Sequence, residues 1–177
     1  MIATKTPSVE EFLLSWENER SEYAQGEKWE KPLPNMNHAD VQMRLGSALT
    51  QYGRDTGNGE PLSEWHHRFG QEDDTRIYVP DIAFVRGTKL AELPDYADRA
   101  SDVMIEIVSP SESASRLTAK VEFYLRNGAQ SVWIVDPEER RIDLYAPDRP
   151  ARGFRGSDTL TDPVLPGFTL PLSELFD

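Results

Sequence analysis

The run Val103-Met104-Ile105-Glu106-Ile107-Val108-Ser109 constrains this chain more than any other stretch, because it is apolar throughout except for one carboxylate at its centre. β-branched and large apolar residues in unbroken succession predict a strand covered on both faces. An uncompensated carboxylate there would cost several kcal/mol unless a metal or a cation offsets it. Glu106 therefore requires a partner. The sequence offers Asp81, which follows Pro80 in the strand-like stretch Tyr78 to Val85, and Lys120, in the helical segment after the central strand.

Composition narrows the classes available. A length of 177 residues suits one domain, residues 1–177, with a core of its own. Hydrophobic residues at 38% and aromatics at 10% exclude a disordered chain. No apolar run reaches the length of a membrane span and no basic-then-apolar leader follows Met1, so a cytoplasmic location is expected. The absence of cysteine excludes disulfides, thiolate metal sites and cysteine nucleophiles, leaving oxygen or imidazole to hold any metal. Nineteen basic against 31 acidic residues give a net charge of −12, which opposes non-specific adhesion to nucleic acid or to anionic membrane.

In chain order, Ser8-Val9-Glu10-Glu11 is a capping-box pattern ahead of Phe12, Leu13 and Trp16 and predicts a short first helix. Glu22-Tyr23-Ala24 and Glu27 to Glu30, around Gln25-Gly26, read as a hairpin. Asn37 is the expected cap of a longer helix with Val41, Leu45, Leu49 and Tyr52 at helical spacing, ended by Gly53 and Gly57. His38, in its first turn, reads either as a solvated neighbour of the cap or as a site residue. Leu62 to Phe69 and Arg76 to Val85 predict two strands of an antiparallel meander. His66-His67 is expected at the surface, since successive strand residues point to opposite faces. The stretch from Gly87 to Ser101 reads as a connection with at most one helical turn. A helix from about Ser113 to Asn127, closed by Gly128, should bury Leu117, Val121, Tyr124 and Leu125. The strand Ser131 to Asp136 then implies a parallel right-handed crossover. An alternating strand, Arg141 to Tyr145, an edge strand and a short terminal helix complete the pattern.

The central strand and the following helix can be placed against each other. Glu106 lies three residues before Ser109, about 10 Å back along the strand at ~3.3 Å per residue. Lys120 lies seven residues into the helix, and at ~1.5 Å per residue has returned by about the same 10 Å. It also borders the buried stripe, so its ammonium can reach Glu106. An Asp and a Glu on adjacent strands with a Lys alongside form an oxygen-rich site suited to Mg²⁺ or Mn²⁺ and to phosphate. The bland alternative is a buried Glu–Lys pair, with Asp81 merely ending a strand.

Pro80-Asp81, Glu106 with Ile107-Val108-Ser109-Pro110-Ser111, Lys120, Tyr124, Gly128 and Trp133-Ile134-Val135-Asp136-Pro137 together resemble the Uma-type restriction endonuclease family of the PD-(D/E)XK nuclease superfamily. Glu22-Tyr23 with Gly26-Glu27, His38, Leu165-Pro166-Gly167-Phe168 and Leu175-Phe176 extend the likeness over nearly the whole chain. The resemblance implies an α/β fold with a restriction-endonuclease-like mixed β-sheet flanked by helices. It implies Asp81 and Glu106 as metal ligands, Lys120 as the catalytic lysine, and Glu22 as an extra N-terminal acid with His38 nearby. Read on its own, Glu22 is an exposed hairpin acid. Two positions depart from the pattern. Val108 stands where the superfamily's usual lysine would be, as in relatives that move the lysine into the following helix, and Arg116 stands where an acid is expected.

The expected function is a Mg²⁺- or Mn²⁺-dependent endonuclease acting on DNA. A homodimer is compatible with the resemblance. A scaffold that keeps the fold without turnover is the alternative, supported by the net charge, and a metal hydrolase of another phosphoester is a third. Arg140, Arg141, Arg149, Arg152 and Arg155 form a candidate basic cluster for DNA, diluted by Glu138, Glu139, Asp143 and Asp148.

Overall fold

The structure, a computed structural model, describes residues 9–15, 20–24, 27–70, 75–110 and 112–177. Helix α1 (Val9–Leu14) precedes the paired strands β1 (Ser21–Ala24) and β2 (Glu27–Glu30) and the helix α2 (Met36–Thr56). Four short strands follow: β3 (Glu60–Ser63), β4 (His67–Phe69), β5 (Arg76–Tyr78) and β6 (Ile82–Val85). The connection to β7 (Val103–Ile107) carries a single 3₁₀ turn, Leu90–Glu92, as expected. Then come α3 (Ala114–Arg126), β8 (Ser131–Asp136), β9 (Arg141–Tyr145), β10 (Arg152–Arg155), β11 (Thr159–Leu160), β12 (Leu170–Pro171) and α4 (Leu172–Phe176). The expected cap at Ser8, Trp16 and the turn at Gln25-Gly26 lie outside the described residues.

A six-stranded mixed sheet, ordered β10-β9-β8-β7-β6-β3, forms the centre, and a four-stranded sheet, β2-β1-β5-β4, stands beside it. β7 and β8 run parallel through the α3 crossover, while β6 pairs antiparallel with β7. All five residues of β7 are buried, because helices cover both faces. Val41, Leu45 and Leu49 of α2 pack with Val103, Ile105 and Ile107 on one face. Burying each such side chain is worth roughly 1.5–3 kcal/mol relative to exposure. Val121 and Tyr124 of α3 pack with Ala83, Met104 and Val132 on the other. Strand alternation then sets Glu106 on the α3 face, with Met104.

Several local expectations are corrected. Helix α2 is capped by Asn35, whose side chain accepts the His38 N–H at 2.8 Å. Asn37 lies inside the first turn because Asn35 already has the extended backbone a cap needs. Gly57, in the left-handed conformation, ends the helix, whereas Gly53 is helical. A Cβ at Gly53 would lie 2.3 Å from the Gly59 carbonyl oxygen, so glycine serves close approach of the returning chain rather than termination. The two strands of the meander each break in the middle. Their outer halves, β3 and β6, pair in the central sheet, and β4 and β5 pair in the smaller one. Pro80, which has no N–H to donate, and Glu64, at φ +52°, mark the breaks. Asp81 therefore sits at the junction of the two sheets.

His67 is fully buried, contrary to the surface placement expected for His66-His67. Alternation holds, but β4 turns His67 and Phe69 inward. One ring nitrogen, Nδ1, lies 2.8 Å from the Trp65 carbonyl oxygen and the other, Nε2, 2.8 Å from Ser101 Oγ. The ring is thus held neutral with both nitrogens satisfied, and burial pushes its pKa down to about 4. A base whose folded pKa lies below the unfolded value near 6.5 contributes stability above that value and loses it as pH falls toward 4. The stability difference between the wild type and His67→Gln, measured by urea unfolding, should shrink by about 3 kcal/mol between pH 7 and pH 4.

Candidate active site

The β6–β7 register pairs Ile82 with Ile105, and one step further sets Asp81 across from Glu106. Asp81 is clipped to β7 directly: its Oδ2 accepts the Ile107 N–H at 2.6 Å. Glu106 Oε2 takes the Lys120 ammonium at 3.0 Å, and Oε1 takes the Tyr124 hydroxyl at 2.6 Å. Lys120 is level with Glu106 as the strand and helix rises require. Its expected place at the edge of the stripe deepens into full burial, with 3% side-chain exposure. The bland Glu–Lys pair is therefore present, but inside a larger assembly.

Glu22 is buried rather than exposed, because β1 lies against β5 and carries its carboxylate under α3. Its Oε1 lies 2.7 Å from Lys120 Nζ and its Oε2 accepts from Arg116 at 2.7 Å. Arg116, at the position where an acid was expected, thus neutralises the acid contributed from β1. His38 is also buried, not a solvated cap neighbour. One nitrogen lies 3.3 Å from Ser109 Oγ and Nε2 lies 3.5 Å from Asp81 Oδ1. All five predicted site residues, Glu22, His38, Asp81, Glu106 and Lys120, line one cleft.

Lys31, Glu64 and Glu112 were not legible as site residues. Lys31 Nζ donates to Asp81 Oδ1 at 2.8 Å, to Glu64 Oε2 at 2.9 Å and to the Val79 carbonyl at 2.7 Å. It follows the exposed strand β2, fifty residues from Asp81, and no periodicity marks it. Glu112 lies 3.9 Å from Lys120. Only its cap-like position before α3 could have singled it out.

The two central carboxylates are driven in opposite directions. Burial raises the Glu106 pKa, Asp81 and Glu22 add to the rise, and Lys120 only partly offsets it, giving about 7. Burial alone would raise Asp81 too, but the Lys31 charge and His38 outweigh it and hold the carboxyl well below the usual range. Burial disfavours the Lys120 ammonium, yet Glu106, Glu22 and Glu112 overcome this and keep it protonated well above its ordinary value.

The donor set suits a hard divalent ion, since Asp81 and Glu106 both line the cleft and their carboxylate oxygens have lone pairs beyond those already bonded. In the ion-pair network, Glu22, Glu64, Asp81, Glu106 and Glu112 face Lys31, Arg116 and Lys120, so five carboxylates against three cations leave two negative charges at full ionisation. The free space in the cleft, which Glu64 does not line, is about 10 Å³, room for one water-sized occupant. Among the described residues no three His, Asp or Glu side chains converge as a preformed cage. A metal here would draw its remaining ligands from water or substrate.

A family model described as Uma2, putative restriction endonuclease, matches residues 9–173. The chain belongs to the Uma2 family. Among solved structures, this member of the family is similar to a putative nuclease of DUF820 from Anabaena variabilis ATCC 29413. The two are 26% identical, the match covers 96% of this chain and 97% of that one, and the TM-score is 0.82. That likeness carries the expected α/β fold, a mixed sheet flanked by helices. Comparison with curated proteins finds no match. No helix among the described residues is long and apolar enough to cross a membrane.

Because Lys120 compensates two buried carboxylates at once, Lys120→Met should cost about 3–5 kcal/mol near pH 8. The cost should diminish toward pH 6, where Glu106 takes up a proton, and Glu106→Gln in the same chain should recover part of it. Urea unfolding of the single and double variants at both pH values measures this.

Proposed function

We propose that this Uma2-family protein is a metal-dependent nuclease of the PD-(D/E)XK type that hydrolyses DNA phosphodiester bonds. The observation that carries the reading is the pairing of two buried carboxylates, Asp81 and Glu106, on opposed chain segments with a buried lysine against one of them. The family description and the description of the Anabaena variabilis protein as a putative nuclease support the same reaction class. Asp81 and Glu106 would hold Mg²⁺ or Mn²⁺. When bound, the ion would supply Lewis-acid stabilisation of the phosphate and acidify a water. Tyr124 and Ile107 N–H fix the two carboxylates in orientation. Lys120 offsets the charge of Glu106 and Glu22, and His38 braces Asp81 from α2. Arg20 and Arg116, at the rim of the cleft, are placed to meet an incoming phosphate.

The alternative, a catalytically silent scaffold, draws on one observation: every oxygen of Asp81, Glu106 and Glu22 already has a protein partner. Activity separates the two. Cleavage of supercoiled, single-stranded or branched DNA should require Mg²⁺ or Mn²⁺ and fall about 100-fold or more in Asp81→Asn. It should also weaken steeply with salt as counterion release demands. Ca²⁺ should strengthen DNA binding in a gel shift while supporting little turnover. No binding with Ca²⁺ and no cleavage of any of these substrates at low salt would leave the scaffold reading in its place.

A further inference from the structure

Lys31 is a cation of the cluster that neither the sequence pattern nor the proposed chemistry accounts for. Its three ammonium protons are all committed, to Asp81 Oδ1, Glu64 Oε2 and the Val79 carbonyl, so it has none to offer a substrate. The side chain is 9% exposed. Two carboxylate oxygens and a main-chain carbonyl at 2.7–2.9 Å make up the oxygen environment of a hard cation, here filled by an ammonium.

The cage is held in place independently of Lys31. Gln42 Nε2 donates to the Asp81 carbonyl at 2.9 Å and contacts Glu64 Oε1 at 3.4 Å, bracing both acids from α2. Glu64 keeps a positive φ of 52° at this point, and its N–H donates to the Asp81 carbonyl at 3.3 Å. The cage adjoins the Asp81–Glu106 position through a shared group, the Asp81 carboxylate. Paired divalent ions in phosphodiester-cleaving sites stand ~3.5–4 Å apart on such a shared ligand. With Lys31 seated, the cleft has about 10 Å³ left, enough for one occupant.

We propose that the Glu64–Val79 carbonyl–Asp81 cage is a second cation position and that Lys31 is its built-in occupant, so that the protein takes up one divalent ion where an open site would take two. This rests on the metal reading of Asp81 and Glu106. A tethered ammonium would offset one of the two charges of Asp81 and Glu64 without any requirement for free metal, and it cannot be lost by dilution.

Counting bound Mn²⁺ by electron paramagnetic resonance of the free ion, together with calorimetry, tests this on the wild type, Lys31→Met and Lys31→Gln. The wild type should bind one ion, and Glu64→Gln in the wild-type background should leave that count unchanged. Both Lys31 variants should bind two, and adding Glu64→Gln to Lys31→Met should return the count to one. The Lys31→Met melting temperature should fall, since the buried Asp81 and the half-buried Glu64 lose their cation, and should recover with Mn²⁺ by more than the wild type gains. One ion in the wild type and still one in the folded variants would overturn the cage and leave the metal reading intact. Two ions in the wild type would also overturn it, whether or not the variants fold. A wild type that binds none while the variants bind one would put Lys31 at the primary position and overturn the second. No Mn²⁺ in any of the proteins would overturn the metal reading, and this inference with it.

Discussion

The ionic contact between Glu106 and Lys120 is the constraint on which the arrangement depends. A carboxylate in the middle of a fully buried strand is tolerable only with a cation and a hydrogen-bond donor within reach. α3 supplies both, one turn apart, as Lys120 and Tyr124. The helix must therefore lie in one rotation and at one height over β7. Fixing α3 fixes the parallel crossover to β8, and the β1 strand then has to bring Glu22 beneath Lys120 to share its charge. Replacing such a network with apolar side chains is often neutral or stabilising. Stability is therefore a weak account of its presence, and the nuclease function proposed above would supply a chemical one.

The same network separates the properties of two carboxylates only one strand apart. Glu106 has its pKa raised because it is enclosed and flanked by Asp81 and Glu22. Asp81 is held ionised because Lys31 and His38 converge on it. Under the proposed function this asymmetry matters, since Asp81 would remain a charged ligand at any physiological pH while Glu106 would become fully charged only as a cation approached. Binding of a divalent ion would then release a proton from Glu106, coupling metal uptake to pH.

How much of this was legible in the sequence differs by type of interaction. Elements fixed by local pattern were readable: β7 from its apolar run, α3 from Ser113 and its stripe, the crossover from strand–helix–strand order. Glu106 and Lys120 followed because their meeting depends only on rise per residue along two consecutive elements. His38 and Glu22 were ambiguous, since their burial depends on α2 and β1 packing against strands far away in sequence. Lys31 was invisible for the same reason, lying just past an exposed strand with a Pro after it. His67 was misplaced because alternation tells which residues share a face but not which face is covered. The broken meander was missed although Pro80 stood in it, because the break needed a second sheet to receive β4 and β5, and that sheet is built with β1 and β2 from the other side of α2.

The acidity of the chain bears on how a phosphate backbone could approach. Two regions compete as the cationic surface. Around β9 and β10, Arg140 pairs with Asp177 and Arg141 with Asp143, while Arg152 lies over the Phe154 ring. Arg149 lines a separate cleft with Arg86, away from the carboxylates. The expected basic cluster is thus partly offset by acids and lies apart from the cleft that holds the carboxylates. At the cleft itself, Arg20 donates to the Pro32 carbonyl and Arg116 stacks over Trp29 while holding Glu22. Among the described residues both guanidiniums have donors beyond these bonds, and both stand at the rim of the site. A net charge of −12 opposes non-specific contact with DNA, so under the proposed function productive contact would centre on this rim. An acidic nuclease of this design would have weak non-specific affinity, and its contact with DNA would be concentrated where the buried acids and their cations lie.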